Sequence, residues 1–277
     1  MENRVTVKKE KTDEDAEENS DNYFVNTLKF FFTEVAEIFR FTTRFFIEVI
    51  KPPYEFKEFL KQCYKVGYKS FPLIAITGFI MGLVLTIQSR PTLAEFGAES
   101  WLPGMVSVSI IKEIGPVITA LICAGKVGSG IGAELASMKV SEQIDAMEVS
   151  GINPYKYIVV TRILAATFMI PALAIVSDAI SLYGSYVGVN LKGDVSYHLF
   201  FSQAFAALDF KDLFPAIIKT FFFGFAIGLI GCYKGYFANK GTEGVGKAAN
   251  AAVVIASLMV FIIDMVAVQL TSLFGGM

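Results

Sequence analysis

The chain has little of what active sites are usually built from. Among its 277 residues there is one histidine, one tryptophan and three cysteines. A lone histidine, His198, supplies neither a histidine pair nor a metal cluster, so hydrolytic and metal-dependent chemistry start from a weak position. His198 itself reads as a surface residue. Cys63, Cys123 and Cys232 are scattered, and the last two fall inside apolar runs, which indicates core positions rather than a disulfide framework or a thiolate metal site. Charge is also scarce. Charged residues make up 18% of the chain against 54% hydrophobic and 14% aromatic, a balance outside that of ordinary soluble domains and expected of an integral membrane protein. The formal net charge of −2 hides an uneven distribution, because residues 8–21 (KKEKTDEDAEENSD) hold much of the acid while the later loops are basic. Global charge therefore says little about partners, and no nucleic-acid partner is expected. The N-terminus lacks a basic stretch followed by an apolar run and a small-residue cleavage site, so no signal peptide is expected. Residues 1–22 read as a disordered acidic cytoplasmic tail.

What is present is a series of apolar runs near the twenty residues needed to cross a bilayer. The clearest is Ser70 to Ser89, free of charge and bracketed by Lys69 and Arg90. A second runs from about Leu102 to Gly125 and a third from about Tyr157 to Asn190, the third long enough that it must tilt, kink at Pro171 or project. A fourth covers Leu213 to Tyr233 and a fifth Ala248 to Phe274. Five spans place Lys51, Lys57, Lys61, Lys65, Lys69, Lys126, Lys139, Lys156, Lys234, Lys240 and Lys247 on one side, with only Arg90, Lys192 and Lys211 on the other. The positive-inside rule then puts the N-terminus in the cytoplasm and the C-terminus outside, with Trp101 as an anchor at the outer interface. Residues 23–53 read as an interfacial amphipathic helix. Phe24, Leu28, Phe31, Val35, Phe39 and Phe46 supply apolar side chains, while Lys29, Thr33, Glu37, Arg40, Arg44 and Glu48 share about one third of the circumference.

Two stretches imitate nucleotide-binding motifs. Gly241 to Ala248 (GTEGVGKA) has P-loop spacing, but Ala248 stands where a magnesium-holding hydroxyl belongs and no strand precedes it. Gly128 to Ala133 (GSGIGA) follows a membrane span rather than the short strand of a dinucleotide fold, so its glycines read as points of close helix approach. Neither a catalytic constellation nor a cofactor site emerges.

Charges inside the spans are the notable feature, because each costs about 2.5–3.5 kcal/mol at the centre of a membrane helix on insertion scales. Lys112 and Glu113 are adjacent in the second span; Asp178, Lys219 and Asp264 lie in the third, fourth and fifth. Neighbours on a helix point about 100° apart, so Lys112 and Glu113 need separate partners. Gln88, Lys69 and Lys247 are further polar groups near the spans. Two readings stay open for Glu113: a group lining a polar passage, or a buried ion pair, with Lys247 or another span, that fixes helix packing.

The stretch from Lys112 to Ala165 (KEIGPVITALICAGKVGSGIGAELASMKVSEQIDAMEVSGINPYKYIVVTRILA) resembles the MlaE (YrbE) permease family of lipid-transporting ABC systems. It combines E-x-G-P, A-G-[KR]-x-G-S, A-E-L-x-x-M-[KR]-x-[ST]-E-Q-I-D-A-M and G-x-x-P-x-x-Y; a weaker likeness extends over about residues 60–275. Lys stands at 112 and 126 where Arg is common, and Thr161 replaces a usual Pro; Lys cannot reproduce a bidentate Arg contact. The resemblance implies an all-α permease of the bacterial inner membrane, residues 54–277, acting as a homodimer. Its expected partners are a separate cytoplasmic ABC ATPase and a periplasmic MCE-domain protein, its substrate is phospholipid, and no catalytic residue or cofactor is expected in this chain. Within the loop 126–156 it implies a coupling helix, Glu134 to Ser150, presenting Glu134, Met138, Lys139, Glu142, Gln143, Asp145 and Met147 to the ATPase. Leu135, Met138, Ile144 and Met147 have the spacing of one apolar stripe. Lys112, Glu113, Gln88, Asp264, Lys247 and Lys69 are the expected polar stations of a lipid pathway. The rival is an ion-coupled secondary transporter in which Glu113, Asp178 or Asp264 takes up protons, although no inverted repeat is visible.

Overall fold

The computed structural model describes residues 29, 32–191, 193, 195–239 and 241–275. The acidic stretch 1–22, Phe24, Leu28 and Phe31 of the expected amphipathic helix, and Lys192 and Lys240 of the loops lie outside the described residues. The chain divides into two compact units, residues 1–47 and 48–277. Residues 32–50 are helical (α1), the first unit ending within this helix, and Phe32, Val35 and Phe39 are exposed along it.

The second unit is built of helices, with no strand among the described residues: α2 (Phe56–Val66), α3 (Phe71–Glu95), α4 (Leu102–Ser109), α5 (Gly115–Cys123), α6 (Ser129–Val140), α7 (Gln143–Val149), α8 (Thr161–Asn190), α9 (Tyr197–Ala206), α10 (Phe210–Tyr236) and α11 (Thr242–Gly275). Five helical segments are long and apolar enough to cross a membrane: Phe56–Glu95, which joins α2 and α3 across a turn at 67–70, Glu99–Val140, Tyr155–Asn190, Leu213–Tyr236 and Thr242–Leu273. The protein is thus an all-α, multi-pass membrane protein with the expected number of spans.

The segments outrun the spans. Tyr155–Asn190 has 36 residues, about 54 Å at 1.5 Å per residue, against a hydrocarbon core about 30 Å thick. Usual tilts stay below about 40°, too little to absorb the excess, so part of it must project beyond the hydrocarbon. The same holds for Glu99–Val140, which is one helical path because turns of π-helix at Ile110–Ile114 and Ala124–Gly128 join α4, α5 and α6.

Small residues set how closely the helices approach. A Cβ on Gly82 of α3 would lie 1.8 Å from the Ser181 carbonyl oxygen of α8, and one on Gly184 of α8 would lie 2.2 Å from that of Phe79. At this contact the Ser181 hydroxyl donates to the Gly78 carbonyl at 2.8 Å, and the hydroxyls of Thr86 and Ser185 are 2.6 Å apart, so buried polar atoms pair across the seam. GSGIGA meets the expectation in part: a Cβ on Gly132 would lie 3.2 Å from that of Ala252 on α11, and one on Gly235 of α10 would fall 2.7 Å from the Gly132 carbonyl oxygen, whereas one on Gly130 would meet nothing within 4 Å. The P-loop look-alike opens α11, with Gly241 in the turn before it at φ 98. Cys123 and Cys232 are buried and all three cysteines are free.

Between the third and fourth spans the chain forms α9, which carries the exposed His198. The Ser196 hydroxyl caps its start by accepting from the Leu199 amide, and Phe200 and Ala204, one turn apart, bury against α4. Ser107 of α4 donates to the Ala204 carbonyl at 3.0 Å. Trp101, at the start of α4, is exposed.

Candidate functional site: two clusters of charge

Lys219, Glu113 and Asp264 meet inside the bundle. Lys219 on α10 donates from Nζ to Glu113 Oε2 at 2.6 Å and to Asp264 Oδ1 on α11 at 2.9 Å. The Lys219 side chain is 6% exposed and that of Asp264 19%, whereas Glu113 is 45% exposed. A buried ammonium is tolerable only when neutralised and hydrogen-bonded, and two carboxylates do both. The cluster retains one excess negative charge when all three are ionised, and the open side of Glu113 carries part of it.

Glu113 does not sit on a regular α-helix. Lys112 and Glu113 lie in the π turn Ile110–Ile114, a local widening that recurs at functional sites and re-aims side chains relative to regular 100° spacing. Lys112 is exposed beside Glu113. Two residues on, Gly115 faces α8, where an added Cβ would be 1.8 Å from Asp178 Oδ1. That buried oxygen has no hydrogen-bond partner among the described residues. Asp178 also lines a largely apolar cavity of about 450 Å³ with Ile111, Pro116, Tyr183, Tyr197 and Thr220.

Of the expected pathway residues, Glu113 and Asp264 are therefore joined, through Lys219. The suggested Glu113–Lys247 pair does not form: Lys247 pairs with Glu243 one turn away at 2.7 Å and is 71% exposed. Gln88 and Lys69 are exposed. The Lys69 backbone carbonyl accepts from the Lys126 ammonium.

A second cluster lies where α2, α6 and the start of α8 meet. Glu134 of α6 accepts from Lys65 of α2 at 2.6 Å through Oε2 and from Arg162 of α8 at 3.0 Å through Oε1. Arg162 is 4% exposed and also donates to the Ile158 carbonyl at 2.9 Å. Neither cation was singled out from sequence as a site residue.

The expected single helix from Glu134 to Ser150 is broken. The chain turns at Ser141 and Glu142, where Glu142 adopts a left-handed backbone at φ 57, and restarts as α7. The one-stripe pattern is replaced accordingly: Leu135 and Ile144 are buried, whereas Met138 and Met147 are half-buried. Lys139 bridges the turn to Asp145 at 2.7 Å. Beyond them Glu142, Gln143, Asp145 and Glu148 are exposed. Val149, at 92%, is the most exposed large hydrophobic among the described residues.

These clusters sit within a recognisable protein framework. Residues 59–270 match the family model described as Permease MlaE. The chain belongs to the MlaE permease family. A probable ABC transporter permease protein of Rickettsia typhi is 37% identical over 214 residues, 77% of this chain and 83% of the relative. A Synechocystis protein of the same description is 31% identical over 243 residues, 88% and 92% of the two chains. The intermembrane phospholipid transport system permease protein MlaE of Haemophilus influenzae is 34% identical over 209 residues, 75% and 80%. Within this MlaE-family chain the E-x-G-P residues acquire physical roles: Glu113 joins the Lys219 cluster, Gly115 admits the Asp178 carboxylate, and Pro116 lines the adjoining cavity.

Proposed function

We propose that this chain is the permease of an ABC transporter that moves phospholipid between the bacterial inner membrane and a periplasmic carrier of the MCE class. A separate cytoplasmic ATPase drives it, and two copies of the chain form the passage. The single observation supporting a passage is the position of Glu113: a carboxylate held by Lys219 at membrane depth yet 45% open. A residue serving only to fix helix packing gains nothing from that opening, whereas a passage for two apolar tails and a charged headgroup requires polar groups along greasy walls. Lys112 and Gln88, both exposed, are further candidate stations. The N-terminal helix lies along the cytoplasmic interface, and the end bearing α2, α6 and α7 faces the cytoplasm. There Met138, Lys139, Glu142, Gln143, Asp145, Met147 and Val149 engage the ATPase, Met adapting to its surface and charges setting register. Nucleotide-driven closure of two ATPase subunits moves two such segments, and the spans follow as packed bodies.

Asp178 favours one alternative, since an unpaired buried acid oxygen suits proton uptake in an ion-coupled transporter. The readings separate when the chain is purified with its companions and reconstituted. The ABC reading predicts a copurifying ATPase, bound phospholipid on mass spectrometry, and transfer that stops without ATP. Transfer sustained by a proton gradient without ATP would overturn it.

A further inference from the structure

We infer that Glu134 is the transmission residue of the coupling segment rather than one of its contacts with the ATPase. This deepens the ABC-permease reading above and rests on it. α6 lies chiefly along α10 and α11. Its polar link to the other side of the bundle is Glu134, whose two oxygens are divided between Lys65 of α2 and Arg162 of α8 at 2.6 and 3.0 Å. One carboxylate thus joins three helices, and a displacement of α6 is delivered to α2 and α8 together.

The two ends of the link differ. Arg162 is 4% exposed, is held additionally by the Ile158 carbonyl, and has a buried Nε with no partner among the described residues. At that exposure it gains little from solvent, so loss of Glu134 leaves a nearly buried cation without its countercharge. Lys65 is 38% exposed and can exchange its carboxylate for solvent at small cost. The Arg162 end is the fixed anchor and the Lys65 end the releasable one. On the input side Ile144 of α7 is 1% exposed, and this buried anchor carries a push on α7 to α6; the Lys139–Asp145 pair that spans the turn at 2.7 Å is itself largely exposed and adds little. Glu134 itself, with both oxygens engaged inside the chain, is poorly disposed to serve a second protein.

The test uses the whole complex, purified through this chain and reconstituted in vesicles of phosphatidylethanolamine and phosphatidylglycerol carrying a fluorescent phospholipid. Lipid moved per ATP hydrolysed is measured for the wild type, Glu134→Gln and Lys65→Gln. Glu134→Gln should retain the ATPase in wild-type amount while lipid moved per ATP falls about fivefold or more, the lower bound of ordinary coupling between sites. Lys65→Gln should lower the same ratio by less. Loss of the ATPase from Glu134→Gln would make Glu134 a contact and overturn the assignment, as would an unchanged ratio. Should Glu134→Gln not accumulate, Lys65→Gln is judged alone, and an unchanged ratio in it overturns the assignment. A wild-type chain that brings down no ATPase would instead refute the underlying reading, and the assignment with it.

Discussion

The two charge clusters are near inversions of one another. Inside the bundle one cation, Lys219, serves two carboxylates, Glu113 and Asp264; at the α2 end one carboxylate, Glu134, serves two cations, Lys65 and Arg162. In each cluster the least exposed member is a cation, Lys219 at 6% and Arg162 at 4%. Their surplus charges are opposite. The first keeps an acid partly open at membrane depth, and the second keeps base at the end we assign to the cytoplasm, whose leaflet is anionic. A deeply buried cation held by carboxylate thus leaves a partly open acid in one place and ties three helices together in the other.

The most disruptive way to break the comparison is to remove the shared cation. Lys219→Met should destabilise the protein by about 3 kcal/mol, because the largely buried Asp264 loses its countercharge while Glu113, 45% exposed, is partly compensated by its surroundings. Thermal unfolding in detergent measures it. Neutralising all three positions together, as Glu113→Gln, Lys219→Met and Asp264→Asn, should restore much of that stability without restoring lipid transfer. If transfer returned as well, the Lys219 cluster would serve helix packing and not passage.

Gly115→Ala sharpens the contrast at intermediate size. The new Cβ would be 1.8 Å from Asp178 Oδ1, an overpacking that should cost about 1–3 kcal/mol. Adding Asp178→Ala should relieve most of it, which a double-mutant cycle by thermal unfolding would detect. The smallest effect is expected at Glu142. Its left-handed backbone at φ 57 suits glycine, but glycine also loses more chain entropy on folding, so Glu142→Gly should shift stability by no more than about 1 kcal/mol. Glu142→Val should be worse than Glu142→Gly by about 1 kcal/mol or more, since a β-branched side chain is least tolerant of that region.

The spans were legible because long apolar runs have few alternatives to crossing a bilayer, and close approach was legible at Gly132. The ion pairs were less so. Lys219 lies 106 residues from Glu113 and 45 from Asp264, and no local pattern reveals which distant charge a buried ammonium meets. Arg162 opens a long apolar run and so reads as a flank. The break after Val140 was invisible for another reason. Glutamate is a good helix former, and nothing in S-E-Q announces that Glu142 will turn left-handed; the burial of Leu135 on one side and Ile144 on the other overrides local preference. The helix α9 could have been found from its Ser196 cap and the Phe200 and Ala204 spacing, both of which are local signals.

The most direct test of a lipid passage at the Lys219 cluster is ATP-dependent phospholipid transfer by the reconstituted complex with Glu113→Gln. The account predicts that the ATPase stays bound, phospholipid vesicles receive lipid about tenfold more slowly, and thermal stability changes by less than in Lys219→Met, as expected when one interaction of about 1.4 kcal/mol is lost from the transport step. Wild-type transfer from an assembled Glu113→Gln complex would contradict it.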